Sequence, residues 1–136
     1  MKARVYHVQV NLRDAAVSLP FWKALLGYLE YRLVHEERDV AGYSNGTTDL
    51  WLIATDQAHA GAGFHRKRAG LNHVAFRVEG REDVDRFRRE FLDARGMSTL
   101  YDTPRDFPEY SPGYYAVFFE DPDRIKLEVV HVPPRG

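Results

Sequence analysis

Two short β-type runs, about half a chain apart, share one plan of apolar and polar positions. They are Val5-Tyr6-His7-Val8-Gln9-Val10-Asn11-Leu12 and Leu71-Asn72-His73-Val74-Ala75-Phe76-Arg77-Val78, each with a histidine near its start. Period-two alternation sends neighbouring side chains to opposite faces of a strand. Tyr6, Val8 and Val10 thus share one face of the first run, and Val5, His7 and Gln9 the other. In the second run Val74, Phe76 and Val78 oppose His73, Ala75 and Arg77. The aliphatic faces are expected to pack against helices. The histidines then project from the opposite face, in the company of Gln9 and Arg77.

The pattern that follows each run is also repeated. Val84, Phe87, Phe91 and Leu92 carry the i, i+3, i+7, i+8 spacing of one buried helix face, and Gly96 supplies the stop. In the first half Val17, Phe21, Ala24 and Leu25 give a similar stripe, with Asp14 as N-cap and Gly27 as end. Pro20 interrupts it: either the helix is kinked there, or Ser18 caps a shorter helix with Pro20 in its first turn. Three strand-like runs then follow each helix. They are about 31–35, 40–43 and 50–54 in the first half, with Asn45-Gly46 as a tight turn, and about 98–102, 114–120 and 125–131 in the second, with Asp121-Pro122-Asp123-Arg124 as a turn. The reading is an α+β chain of two tandem βαβββ modules, at about 3–56 and 71–133. A segment of about 57–70 joins them in a single domain spanning residues 1–136.

Composition narrows the chemistry. A chain of 136 residues with 44% hydrophobic content can bury a real core. The net charge of −1 offers no broad attraction to nucleic acid or a membrane surface. With no cysteine, disulfides, thiolate ligands and a cysteine nucleophile are excluded. The first strand begins too early to leave room for a signal peptide, and no apolar run reaches spanning length, so a cytoplasmic location is the expectation. The basic run His65-Arg66-Lys67-Arg68 reads as a solvated loop in preference to an anion contact.

The candidate chemistry comes from registering the last strand of each module. Ile125-Lys126-Leu127-Glu128-Val129-Val130 matches Thr48-Asp49-Leu50-Trp51-Leu52-Ile53, which sets Glu128 at the position of Trp51. A glutamate between Leu127 and Val129 is costly to bury unless its charge is compensated, and a divalent cation is one compensation. Two imidazoles, His7 and His73, and the Glu128 carboxylate match a facial triad with positions left open for water or substrate. Taken singly, each residue reads as well as a hydrogen-bonded core histidine or a wet-edge glutamate. The recurrence of the histidines at equivalent repeat positions favours the metal reading.

At these residues the sequence resembles the vicinal oxygen chelate superfamily, which includes glyoxalase I, bleomycin-resistance proteins and extradiol dioxygenases. The resemblance covers nearly the whole chain. Besides His7 and the context of His73, it rests on Phe21-Trp22-Lys23-Ala24-Leu25-Leu26-Gly27-Tyr28 and on the ending Phe118-Phe119-Glu120-Asp121-Pro122-Asp123-Arg124-Ile125-Lys126-Leu127-Glu128. It implies paired βαβββ modules forming a curved, partly open, barrel-like mixed sheet with helices outside. It also implies a divalent metal (Fe2+, Mn2+, Zn2+ or Ni2+) on His7, His73 and Glu128, and a homodimer. Departures matter as well. Trp51 stands where glyoxalase I has a fourth, glutamate ligand, and Phe118 where extradiol enzymes carry a tyrosine ten residues before the glutamate. Gln9 replaces the threonine of fosfomycin transferases, and Arg124 replaces the usual turn glycine.

The expected function is a divalent-metal-dependent enzyme that chelates vicinal oxygens of a small substrate and stabilises an oxyanion or enolate-like intermediate. Lyase or isomerase, dioxygenase and transferase chemistry remain open. Gln9, Arg77, Tyr110 and Tyr114 are the candidate catalytic residues, and Trp51 and Phe118 the candidate substrate walls. Tyr115 reads as strand packing. The alternative is a metal-free protein that sequesters an aromatic or cationic compound, as bleomycin-resistance proteins do. Neither reading calls for a nucleic-acid or membrane partner.

Overall fold

In a computed structural model, which describes residues 1–134, the chain forms two compact units, Met1–Phe64 and His65–Gly136. Each is built as the repeat predicts. In the first, β1 (His7–Leu12) leads to α1 (Ala15–Tyr28), then β2 (Arg32–Glu37), β3 (Val40–Ser44) and β4 (Asp49–Ala54), with sheet order β1-β4-β3-β2. A single turn, α2 (Gln57–Ala60), follows. In the second, β5 (His73–Arg77) leads to α3 (Arg81–Phe87), which runs on through a π turn at Arg88–Leu92 and a 3-10 turn at Asp93–Arg95. Then come β6 (Leu100–Asp106), β7 (Tyr115–Glu120) and β8 (Lys126–His131), with order β5-β8-β7-β6. In both sheets the first strand runs parallel to the last and the rest are antiparallel. Both sheets are therefore mixed, with no closed barrel, and the chain is α+β.

The period-two pattern faces as expected. Val10 and Leu12 are buried while His7, Gln9 and Asn11 are exposed, and Phe76 is buried while Ala75 and Arg77 are exposed. Tyr6, assigned to the aliphatic face, precedes the first paired residue of β1 and is 70% exposed. The second helix stripe is also as predicted, with Val84, Phe87, Phe91 and Leu92 all buried. Gly96 ends that stretch in the left-handed conformation, at φ 64°.

The first helix departs from the expected stripe by one position. Its buried residues are Ala15, Ser18, Leu19, Trp22, Leu25 and Leu26, while Val17 is 57% exposed and Phe21 and Ala24 are half-buried. The cause is size and polarity. Trp22, the largest side chain of α1, is fully buried, and a serine in the same row hid the period. Pro20 neither starts nor ends the helix. It lies inside the fourteen-residue element, on an exposed position, and Asp14 rather than Ser18 caps it, accepting from the Ala16 N–H at 3.1 Å.

Trp51 takes the shape of its surroundings from Gly42, its register partner on β3. The indole lies so close over that glycine that an added Cβ would meet Cη2 and Cζ3 at 2.8 Å. Gly42→Ala is therefore expected to destabilise the protein by about 1–3 kcal/mol, the usual cost of overpacking. Urea titration followed by tryptophan emission checks this, and an unchanged midpoint would show that the ring swings away freely.

Candidate functional site

The register puts Glu128 and Trp51 at equivalent places. Each lies on the strand paired in parallel with the histidine strand, opposite the residue two beyond the histidine: Trp51 opposite Gln9, Glu128 opposite Ala75. In the second unit this brings His73 and Glu128 together, with His73 Nε2 3.2 Å from Glu128 Oε1. Glu128 is 1% exposed although β8 supplies only apolar neighbours along the chain, Leu127 and Val129.

Three contacts hold the pair. Asn72 Nδ2 donates to the Arg66 carbonyl at 3.2 Å, which leaves Asn72 Oδ1 facing His73 Nδ1 at 2.7 Å. In the neutral ring the proton then sits on Nδ1, and Nε2 turns its lone pair toward Glu128. The Tyr114 hydroxyl donates to the other carboxylate oxygen, Oε2. Burial, then this hydrogen bond and the Glu128 charge, push the Tyr114 pKa far above its ordinary value, so it remains a donor at neutral pH. Nε2 and Oε1 face one another at 3.2 Å. With the ring neutral they are two acceptors that call for a cation between them, and with the ring protonated they form an ion pair.

The donor chemistry fits a divalent ion. A neutral imidazole with its other N–H on an amide oxygen and a buried carboxylate tied by a hydroxyl are the first and outer layers of common metal sites. His73 and Glu128 would offer such an ion two donor atoms. Among the described residues no three His, Asp or Glu side chains form one group placed to hold a metal. His7 lies in the first unit, exposed at the start of β1 with the Tyr6 ring edge-on at 5.3 Å, and its part as a third ligand rests on the repeat.

Of the other expected residues, Phe118 and Tyr114 lie at the pair, while Gln9, Trp51, Arg77 and Tyr110 are engaged or exposed elsewhere. Phe118, the register partner of Glu128, is buried, with its ring 6.1 Å from His73. Phe107, Ala116 and Val130 pack with it, and Tyr114 borders them. Tyr110 stands one layer out, 61% exposed, stacked on Phe107 at 5.2 Å and edge-on to Tyr114. Arg77 is engaged elsewhere, donating to the Val132 carbonyl at 2.5 Å. Gln9 is exposed, and the half-buried Trp51 rests on Gly42 with His35 at 5.5 Å; both belong to the first unit. Arg66, from the basic run, anchors the connecting segment by its ion pair with Glu120 at 2.7 Å. Arg124 does take the left-handed conformation its glycine-like place demands, at φ 65°. The sequence reading did not single out Asn72 as the partner of His73, although an amide directly before a candidate ligand was a usable signal.

Tyr115 does its work on the helix side. Its hydroxyl donates to Asp85 at 2.6 Å, and the Arg81 guanidinium lies 3.9 Å from its ring centroid. Burial, then the bond to Asp85, push its pKa up to about 12. Above pH 10 the unfolded chain ionises this hydroxyl while the folded chain keeps it protonated, so the contribution is whole below pH 10 and is lost as pH rises through about 12. Urea midpoints recorded from pH 9 to 12 are expected to fall, and Tyr115→Phe to fall less steeply. Parallel curves for the two proteins would exclude this origin.

The comparisons agree with this architecture. A family model described as Glyoxalase/Bleomycin resistance protein/Dioxygenase superfamily matches residues 4–129. The chain belongs to that superfamily. It is 33% identical over 126 residues to the uncharacterized protein YqjT of Bacillus subtilis, an alignment covering 93% of this chain and 97% of that one. A crystal structure of a candidate glyoxalase from Bacillus halodurans is 39% identical, with a TM-score of 0.85 over 94% of this chain and 95% of that one. Lactoylglutathione lyase from Agrobacterium tumefaciens, at 18% identity, shares the fold with a TM-score of 0.70 over 96% and 95%. Among the described residues no helix is long and apolar enough to cross a membrane.

Proposed function

We propose that the protein is a divalent-metal-dependent enzyme acting on a small substrate with vicinal oxygens, with His73 and Glu128 as metal ligands and His7 as the third. The observation that carries this reading is the meeting of His73 Nε2 with the buried Glu128 Oε1 at 3.2 Å, held by Asn72 on one side and Tyr114 on the other. A bound divalent ion would supply Lewis acidity toward substrate oxygens. The chain's own residues do the rest. Asn72 orients the imidazole, Tyr114 holds the carboxylate, and the buried Phe118 ring borders the pair, 6.1 Å from His73. Tyr114, protonated at neutral pH, also holds a proton beside the reacting centre. Trp51, where glyoxalase I has a ligand, argues against that particular activity.

The aromatic group of Phe107, Tyr110, Tyr114 and Phe118 favours a second reading, a metal-free binder of an aromatic compound. One experiment separates the two. Purified protein is reconstituted with Fe2+, Mn2+, Zn2+ and Ni2+ in turn, and metal is measured by mass spectrometry beside a His73→Ala, Glu128→Ala double variant. Near-stoichiometric metal in the parent, lost in the variant, is the expected result. Absence of metal in every folded sample sinks the enzyme reading.

A further inference from the structure

The second sheet carries a strained bulge beside His73 and Glu128. The β6–β7 pairing shifts register between Leu100 and Arg105, and within that break Tyr101 and Asp102 hold φ values of 58° and 52°. Two consecutive non-glycine residues in the left-handed region are strained, and such strain gathers where a side chain must be aimed. Thr103 sustains the break, accepting from the Phe118 N–H at 2.9 Å and donating to the Leu100 carbonyl at 2.7 Å. The result is that the Tyr101 ring stands edge-on to Phe118, 5.5 Å away, with its hydroxyl 3.4 Å from Lys126 Nζ.

Lys126 is the register partner of His73 and lies two residues before Glu128, on the same face of β8. Its ammonium is 5.0 Å from the ring centroids of both Tyr101 and Phe118. Among the described residues it is ion-paired with no carboxylate, whereas Arg66 and Arg124 nearby both pair with Glu120. The two ring faces and the Tyr101 hydroxyl hold the ammonium in place. Its charge is met by no carboxylate among the described residues and is open to an anion from outside the chain.

We propose that Lys126 and the Tyr101 hydroxyl form an anion seat beside His73 and Glu128, which takes the carboxylate of a small oxyacid substrate. The seat rests on the metal reading for its charge balance, because Glu128 alone would repel an anion and a divalent ion held there reverses the sign. One ammonium and one hydroxyl satisfy two oxygens, which suits a carboxylate. A phosphate would want a free fork, and the Arg66 guanidinium, which also reaches the Tyr101 hydroxyl, is neutralised by Glu120 at 2.7 Å.

The test is isothermal titration of the parent, Lys126→Met, Lys126→Arg and Tyr101→Phe proteins. Oxalate serves as the anionic probe and catechol as the neutral vicinal-oxygen control, with metal content measured in each sample and folding checked by circular dichroism. Lys126→Met is expected to weaken oxalate at least about tenfold and to leave catechol within about twofold. Lys126→Arg should recover most of the loss, and Tyr101→Phe should lose about threefold. Equal losses for both probes, or none, overturn the seat, and inorganic phosphate binding more tightly than oxalate overturns its assignment to a carboxylate. A metal-loaded parent insensitive to Lys126→Met refutes the seat alone. A parent that holds no metal refutes the enzyme reading and, with it, the seat, because nothing then offsets the Glu128 charge.

Discussion

Glu128→Ala is expected to lower affinity for a divalent metal by well over 100-fold and to remove turnover with it. Outer-layer partners of metal ligands typically account for 10–100-fold, so a direct ligand should exceed that range. The same scale gives the companion variant its size. Tyr114→Phe keeps the ring among Phe107 and Tyr110 but deletes the hydroxyl that holds Oε2, so a loss of about 10–100-fold is expected. The measurement is competition for the metal against a chelator of known affinity, on variants whose circular dichroism matches the parent. A graded series, parent above Tyr114→Phe above Glu128→Ala, supports ligation by Glu128. A Glu128→Ala protein that keeps the parent's affinity would place the metal elsewhere and leave Tyr114 a packing role.

Phe87→Ala is expected to destabilise the protein by about 3–5 kcal/mol, the range for truncating a buried phenylalanine. Phe87 is 1% exposed, stacked on Phe91 with centroids 5.2 Å apart and planes at 11°, and set against Phe119 of β7 at 5.2 Å. Its ring joins α3 to the helix side of the second sheet, and the removed volume lies between the Phe91 and Phe119 rings. Urea titration by far-ultraviolet dichroism gives the number. A loss below about 1 kcal/mol would mean that α3 settles onto the sheet and refills the space. Metal affinity separates this variant from Glu128→Ala, since Phe87 faces away from the site. It should fall only with the folded fraction.

Local periodicity and repetition made much of this fold legible in the chain. Alternation fixed the faces of β1 and β5, because a strand has only two, and the spacing of Val84, Phe87, Phe91 and Leu92 fixed the buried side of α3. Registering the two halves also found the equivalence of Glu128 and Trp51, which depends only on counting along matched strands. The stripe of α1 escaped because Ser18 sits in the buried row and Val17 beside it looks like core, so burial was decided by what Trp22 packs against. The tertiary structure alone decided which polar groups meet. Asn72 on His73, Tyr114 on Glu128 and Thr103 across the β6 break depend on side-chain directions and on a bulge that no period encodes. Lys126 shares a strand face with Glu128 by simple alternation, yet only the left-handed backbone at Tyr101 and Asp102 brings a hydroxyl to it. Periodicity encodes faces; the contacts between side chains from distant strands come from packing.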